Sequence, residues 1–310
     1  MKIIITEFMD EAAVATLRSG FDITYDPKLV DQGDALKAAL ADADALIVRN
    51  RTQVRGDLLA AGAKLRVVGR LGVGLDNIDV PACEARGIEV IPATGANALA
   101  VAEYVIGTAM VLLRGAYRAT PDVAAGKWPR NALSNGREIA GKTLGLIGFG
   151  GIGQLTAKLA KGLGMQVIAS DAFVPPASDA WRLADAPPMR LDEVLWKADV
   201  VSLHVPLTAE TRNLIDATRL AMMKSDAILI NTARGGVVDE AALAAALKAG
   251  TLGGAALDVF DPEPLPAGSP LADAPNLILT PHIAGVTAES NTRVSSMIAE
   301  RVAASLAKER

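Results

Sequence analysis

Lys142-Thr143-Leu144-Gly145-Leu146-Ile147 runs directly into Gly148-Phe149-Gly150-Gly151-Ile152-Gly153. An apolar strand-like run, then G-x-G-x-x-G, then a helix-forming stretch to Gly162 is the setting in which that glycine pattern carries meaning. Gly148 permits a tight turn, Gly150 lets the backbone approach a pyrophosphate, and Gly153 lets helix and strand pack closely. The helix start offers unpaired N–H groups and a positive dipole end to phosphate. In a chain with 28 glycines the pattern alone is weak. A second strand-like run, Gln166–Ser170, supports it by ending at Asp171, 18 residues past Gly153, where a carboxylate would hold a ribose diol. No Lys or Arg follows in Ala172–Ala180, so no cation waits for a 2′-phosphate, and NAD is expected over NADP.

Working outward, strand-like runs recur at Val200–Val205, Ala227–Asn231, Ala255–Val259 and Leu277–Leu279. Towards the N-terminus a separate series reads Lys2–Thr6, Asp22–Tyr25, Ala45–Val48, Leu65–Val68 and Ile88–Ile91, with Ala- and Leu-rich helical stretches between them. Such alternation predicts an α/β chain with two parallel sheets, each covered by helices on both faces. The apolar stretch Leu99–Leu113 is expected to carry the chain from one domain to the other as a buried helix. The last helix, Ala288–Leu306, is expected to return to the first.

Composition narrows the class. Half the residues are hydrophobic and a fifth charged, which fits a packed globular chain. A net charge of −4 gives no basic face for nucleic acid. The single cysteine, Cys83, excludes an internal disulfide and suits a reducing compartment. Ile3-Ile4-Ile5 is cut by Thr6, Glu7 and Asp10, too short for a signal h-region, and no run is long enough to span a bilayer. A cytoplasmic location with no membrane partner is expected.

Three polar residues follow predicted strands: Arg234 in Thr232-Ala233-Arg234-Gly235-Gly236, Glu263 in Asp258-Val259-Phe260-Asp261-Pro262-Glu263-Pro264, and His282 in Thr280-Pro281-His282-Ile283-Ala284-Gly285. Ligands of open α/β sheets bind at the carboxyl ends of strands, so the three can converge on one crevice. The set suits hydride chemistry on a keto acid. A histidine protonates the nascent alkoxide, a carboxylate holds the ring as imidazolium, and an arginine takes the substrate carboxylate. His204, the other histidine, has no acidic neighbour in sequence. It reads as lining the cofactor pocket, with a purely structural role as the alternative. At the end of Ala45–Val48, Arg49 and Arg51 are two apart in an extended chain and are expected to face one side, as a patch for a second anionic group.

At these residues the chain resembles the D-2-hydroxyacid dehydrogenase family, in particular its phosphoglycerate-dehydrogenase-like branch. The resemblance spans nearly the whole chain, through Gly72-Val73-Gly74-Leu75-Asp76-Asn77-Ile78-Asp79, Gly141-Lys142-Thr143-Leu144-Gly145, the glycine loop, His204-Val205-Pro206-Leu207-Thr208, Ala233-Arg234-Gly235-Gly236, Asp258-Val259-Phe260 with Glu263-Pro264, and Pro281-His282. It implies two doubly wound domains: a flavodoxin-like substrate domain over 1–98 and 286–310, and a Rossmann NAD-binding domain over 99–285.

It also implies an NAD-dependent oxidoreductase acting on a small anionic D-configured 2-hydroxy acid, phosphoglycerate- or sulfolactate-like. Arg234 would bind the carboxylate, and Glu263 with His282 would form the acid/base pair. Val73 and Gly74 would hold substrate through the backbone, beside Arg49, which matches a phosphate-side arginine of the branch. Ile152, Pro206, Thr232, Ala233, Asp258 and Gly285 would touch the cofactor. A homodimer formed through the dinucleotide domain is the further expectation. Gly151 stands where many members have arginine, which removes one pyrophosphate contact. The chain stops after its last helix, so the regulatory extension of longer relatives is not expected. Ile5–Asp10 and Ala93–Glu103 are similar to bacterial sulfolactate dehydrogenases. An NAD(H)-sensing binding protein on the same fold is the competing reading.

Overall fold

The structure, a computed structural model, describes residues 1–308. It divides into two compact units, Met1–Asn97 with the segment from Val286 onward, and Ala98–Gly285.

The first unit is built on five parallel strands: β1 (Lys2–Ile5), β2 (Asp22–Tyr25), β3 (Ala45–Val48), β4 (Val67–Arg70) and β5 (Glu89–Pro92). Their order is β2-β1-β3-β4-β5. Ile3, Ile4 and Ile5 and all of Ala45–Val48 are wholly buried, as expected of central strands covered on both faces. Asp10 caps the helix Glu11–Arg18 through the Ala12 N–H, and Asp79 caps Val80–Ala85 through the Ala82 N–H. The helix Ala288–Ala307 packs on Glu11–Arg18 and on β4, inserting Val294, Ile298 and Val302 into this unit's core. Strand β4 begins two residues later than its apolar run predicts. The Leu65 N–H closes a turn onto the Gly62 carbonyl, and pairing with β3 starts at Val67.

The second unit holds six parallel strands: β6 (Thr143–Ile147), β7 (Gln166–Ser170), β8 (Val200–Leu203), β9 (Ile228–Asn231), β10 (Gly254–Leu257) and β11 (Leu277–Leu279). The order β11-β10-β9-β8-β6-β7 reverses direction at β6, from which the chain first steps out to β7 and then back to β8. The helix Ala98–Arg114 belongs here, packed against the helix Gly151–Gly162, with Val105, Ile106, Ala109, Leu112 and Leu113 in the core. Phe149, inside the glycine loop, is fully buried and stacks on Trp181 with centroids 4.5 Å apart. Among the described residues no single helix is long and apolar enough to cross a membrane. Both sheets are doubly wound as expected: the first has the flavodoxin-like order, and in the second an isolated parallel bridge from Ala169 to Pro188 adds the position beyond β7 that a Rossmann order requires.

Candidate active site

The reversal at β6 is where an open α/β sheet leaves a crevice for ligand. Gly148 turns the chain with φ +96°, and a Cβ there would lie 2.5 Å from the His204 carbonyl oxygen. A Cβ on Gly153 would meet the Gly148 carbonyl at 2.4 Å. Only glycine fits either place. Gly150 and Gly151, by contrast, face open space at the start of the helix, where the backbone is accessible to phosphate. Ile152 lies in the first turn of that helix.

Asp171 leaves β7 and accepts N–H groups from Phe149 (2.6 Å), Phe173 (2.7 Å) and Val174 (2.9 Å). These bonds pin its carboxylate beside the glycine loop. Past β8, Pro206 is exposed; past β9, Thr232 and Ala233 are half-buried. The Thr232 hydroxyl is buried without a hydrogen-bond partner among the described residues. A glycine cradle, a pinned carboxylate and a hydroxyl awaiting a polar group together fit NAD.

Strands β9, β10 and β11 are neighbours and parallel, so the segments after them share one edge of the sheet. Arg234 follows β9. Buried Asn231 shapes its turn, accepting from the Ala233 N–H (3.0 Å) and donating to the Arg234 carbonyl (2.9 Å). Glu263 follows β10, and His282 follows β11. The Glu263 carboxylate spans Nδ1 of His282 with Oε2 at 2.8 Å and Oε1 at 3.1 Å. Oε1 also accepts the Phe260 N–H at 3.1 Å, which fixes the carboxylate's orientation. With Nδ1 engaged, Nε2 is the nitrogen left to exchange a proton with a substrate. An imidazole oriented by a carboxylate, on the same sheet edge as a guanidinium, can perform acid/base chemistry on an anionic carbonyl compound.

Asp258, expected at the cofactor, also organises the His282 loop. It is 1 % exposed, and its carboxylate accepts from the Thr280 hydroxyl (2.6 Å) and the Ile283 (2.8 Å) and Ala284 (2.7 Å) N–H groups. Those bonds tie it to the His282 loop, which Gly285 ends. His204 lies under the glycine loop, with Nε2 3.1 Å from the Ser202 hydroxyl. Burial pushes its pKa down to about 4, so it is neutral at working pH and unsuited to being the catalytic acid.

In the first unit, Arg49 and Arg51 diverge instead of sharing a face, because β3 ends at Val48 and the chain then bends. Arg49 sits over the Phe8 ring at 5.7 Å and donates to Asn291 Oδ1 at 2.8 Å. Arg51 turns out to pair with Asp31. Sequence reasoning missed Glu7. Buried at 5 % exposure, it accepts the backbone N–H groups of Arg49 (2.9 Å), Arg51 (3.2 Å) and Thr52 (3.0 Å), and so shapes the whole bend. Its position at the end of β1, beside β3, was the available signal. Val73 is exposed and Gly74 half-buried in the loop after β4.

The fold and the site edge define a dinucleotide-dependent oxidoreductase, and comparison with known proteins makes the class specific. Residues 106–284 match the family described as D-isomer specific 2-hydroxyacid dehydrogenase, NAD binding domain. The chain is 56% identical to the (S)-sulfolactate dehydrogenase of Chromohalobacter salexigens, over 97% of this chain and 96% of that one. It is 39% identical to the D-3-phosphoglycerate dehydrogenase of Methanocaldococcus jannaschii, over 97% of this chain and 57% of that longer protein. The crystal structure of TT0316 protein from Thermus thermophilus superposes with a TM-score of 0.87 at 34% identity, covering 99% of this chain and 97% of that one. The chain belongs to the D-isomer specific 2-hydroxyacid dehydrogenase family, and it is an NAD-dependent oxidoreductase of 2-hydroxy acids.

Proposed function

We propose that the chain interconverts (S)-sulfolactate and 3-sulfopyruvate. The observation that carries this is the 56% identity, over nearly the full length of both chains, to a protein named for that substrate. The stereochemical labels agree. Sulfur in the CH2SO3⁻ arm outranks the carboxylate carbon, so the S descriptor here names the spatial arrangement that D-lactate has.

Arg234 binds the 2-keto carboxylate through its guanidinium fork. His282, held at Nδ1 by Glu263, gives the Nε2 proton to the keto oxygen as it becomes an alkoxide, and takes the proton back in the oxidative direction. When bound, NAD+ would take the hydride from C2 of the hydroxy acid, and NADH would return it to the keto acid. The glycine loop and Asp171 hold the pyrophosphate and ribose, and Thr232 adds a hydroxyl. The first unit serves as the substrate domain. Its sheet order reverses between β1 and β3, where Glu7 and Arg49 lie, so that is where its own ligand crevice is expected. Arg49 reads the sulfonate there, with Val73 and Gly74 as backbone contacts. With Arg51 paired to Asp31, Arg49 is the one of the two left for the tail, which suits a monoanionic sulfonate.

The enzyme works in the cytoplasm as a homodimer. Met110, Tyr117, Val123 and Trp128, all 43 % or more exposed, lie in one stretch of the second unit and form the apolar surface that a second copy covers.

An NADH-oxidation screen over keto acids with sulfonate, phosphate, carboxylate and alkyl tails tests the assignment. The highest kcat/KM is expected with 3-sulfopyruvate. A preference for phosphohydroxypyruvate or an alkyl keto acid would overturn it.

A further inference from the structure

His282 has φ +56°, a conformation that side chains with a Cβ rarely adopt, so the loop carrying it must be held from outside. The hold comes from Asp258. The His282 N–H donates to the Asp258 carbonyl at 2.8 Å, and the next two N–H groups donate to its two carboxylate oxygens. Three consecutive amides thus converge on one buried residue.

The carboxylate has a third donor, the Thr280 hydroxyl at 2.6 Å. Thr280 Oγ1 also lies 2.6 Å from the Tyr104 hydroxyl. A threonine hydroxyl has one proton. Because that proton goes to Asp258, the tyrosine must be the donor in the second contact. The chain therefore runs in one direction, from Tyr104 to Thr280 to Asp258 to the His282 loop. Tyr104 comes from the helix Ala98–Arg114, whose neighbouring face is packed in the core, so the far end of the chain is rigidly mounted. Burial pushes the phenol's pKa up and keeps its proton in place.

We infer that Tyr104 and Thr280 are positioning residues for His282: their directed hydrogen-bond chain sets the buried Asp258 carboxylate, and with it the left-handed loop that presents the imidazole. The inference rests on His282 being the acid/base group. Neither residue belongs to the glycine loop or to the Arg234 turn, so loss of either hydroxyl is expected in the chemical step and not in binding.

The test compares Tyr104→Phe, Thr280→Val and Thr280→Ser with the wild type in full-length protein. It reads steady-state kcat and KM, NADH affinity by fluorescence, and the single-turnover rate of NADH oxidation. Tyr104→Phe and Thr280→Val should lower kcat and the single-turnover rate about tenfold, since small misplacements of a catalytic group cost one to two orders of magnitude. KM and NADH affinity should stay within about twofold, and Thr280→Ser should restore the rate. Because the residues act in series, the double variant should be no slower than Thr280→Val alone.

The inference fails if both variants keep the wild-type rate, or if the loss lies in NADH affinity. It fails also if the loss is only in the fraction of molecules that bind NADH, with normal turnover per binding site. His282→Gln serves as a separate arm: if that variant remains active, the acid/base assignment itself is wrong, whatever Tyr104 and Thr280 do.

Discussion

Phe149 donates its backbone N–H to Asp171 at 2.6 Å, tying the glycine loop directly to the end of β7. Asp171 therefore braces the loop proposed to cradle the pyrophosphate, besides the ribose contact proposed for it. Asp171→Ala should raise the NADH dissociation constant by at least about tenfold, as charge-assisted hydrogen bonds are worth about 1.5–3 kcal/mol each. It should also narrow the preference for NADH over NADPH by removing the repulsion of a 2′-phosphate. Fluorescence titration with both cofactors measures this. A wild-type enzyme that prefers NADPH contradicts the reading of Asp171.

His282→Gln should cut turnover by at least ~10²-fold with NADH affinity nearly intact, in line with the usual contribution of general acid catalysis. Glu263→Gln should cost less, because the ring keeps its place and loses only its anionic neighbour. Steady-state kcat and NADH affinity of the two variants decide it, and a Glu263→Gln enzyme with wild-type turnover would count against the pairing.

His204 contributes to stability with a definite sign. Its folded pKa of about 4 lies below the ordinary 6.5, so the unfolded chain takes up a proton that the folded one refuses. The stability this neutral ring confers is complete above pH 6.5 and is lost as pH falls towards 4, by about 3 kcal/mol in all. Denaturant melts from pH 7 to 4.5 should show a steeper loss for the wild type than for His204→Asn. Parallel losses would mean that the ring is protonated in the folded protein.

Arg49→Ala should raise KM for 3-sulfopyruvate roughly ten- to a hundredfold and leave pyruvate nearly unaffected, the loss of one charge-assisted contact. Arg51→Ala should leave both alone, since its guanidinium is exposed and committed to Asp31. Equal effects of Arg49→Ala on the two substrates would remove the sulfonate from the argument.

The doubly wound architecture was legible because the strands are short, mostly apolar bursts, several of them ended by Gly, Asp, Asn or Arg, and β6, β7 and β11 fall where their runs predict. The residues at the strand ends were legible too, since a polar residue after a buried strand has few structural uses. What escaped was whatever depends on contacts distant in sequence. Tyr104 looked like one more residue of an apolar helix, and nothing near it in sequence reveals its partner Thr280. Glu7 looked like a break in a hydrophobic run, although its partners lie at the end of β3. Asp258 was placed at the cofactor by the family resemblance, and nothing near it in sequence reveals that its carboxylate also holds the His282 loop. Arg49 and Arg51 were placed on one face by extending a strand past the point where Glu7 bends it.

Ile298 and Val302, on the helix that completes the core of the first unit, are synthesised after every residue of the second. On the ribosome, then, Met1–Asn97 emerges with a side of its sheet uncovered and stays so while the six-stranded unit is made. The unit whose residues come first is the last that can finish folding. Until then the nascent chain leaves Val67, Ile91 and their neighbours on β4 and β5 without that helix, an apolar surface of the kind that holding chaperones bind.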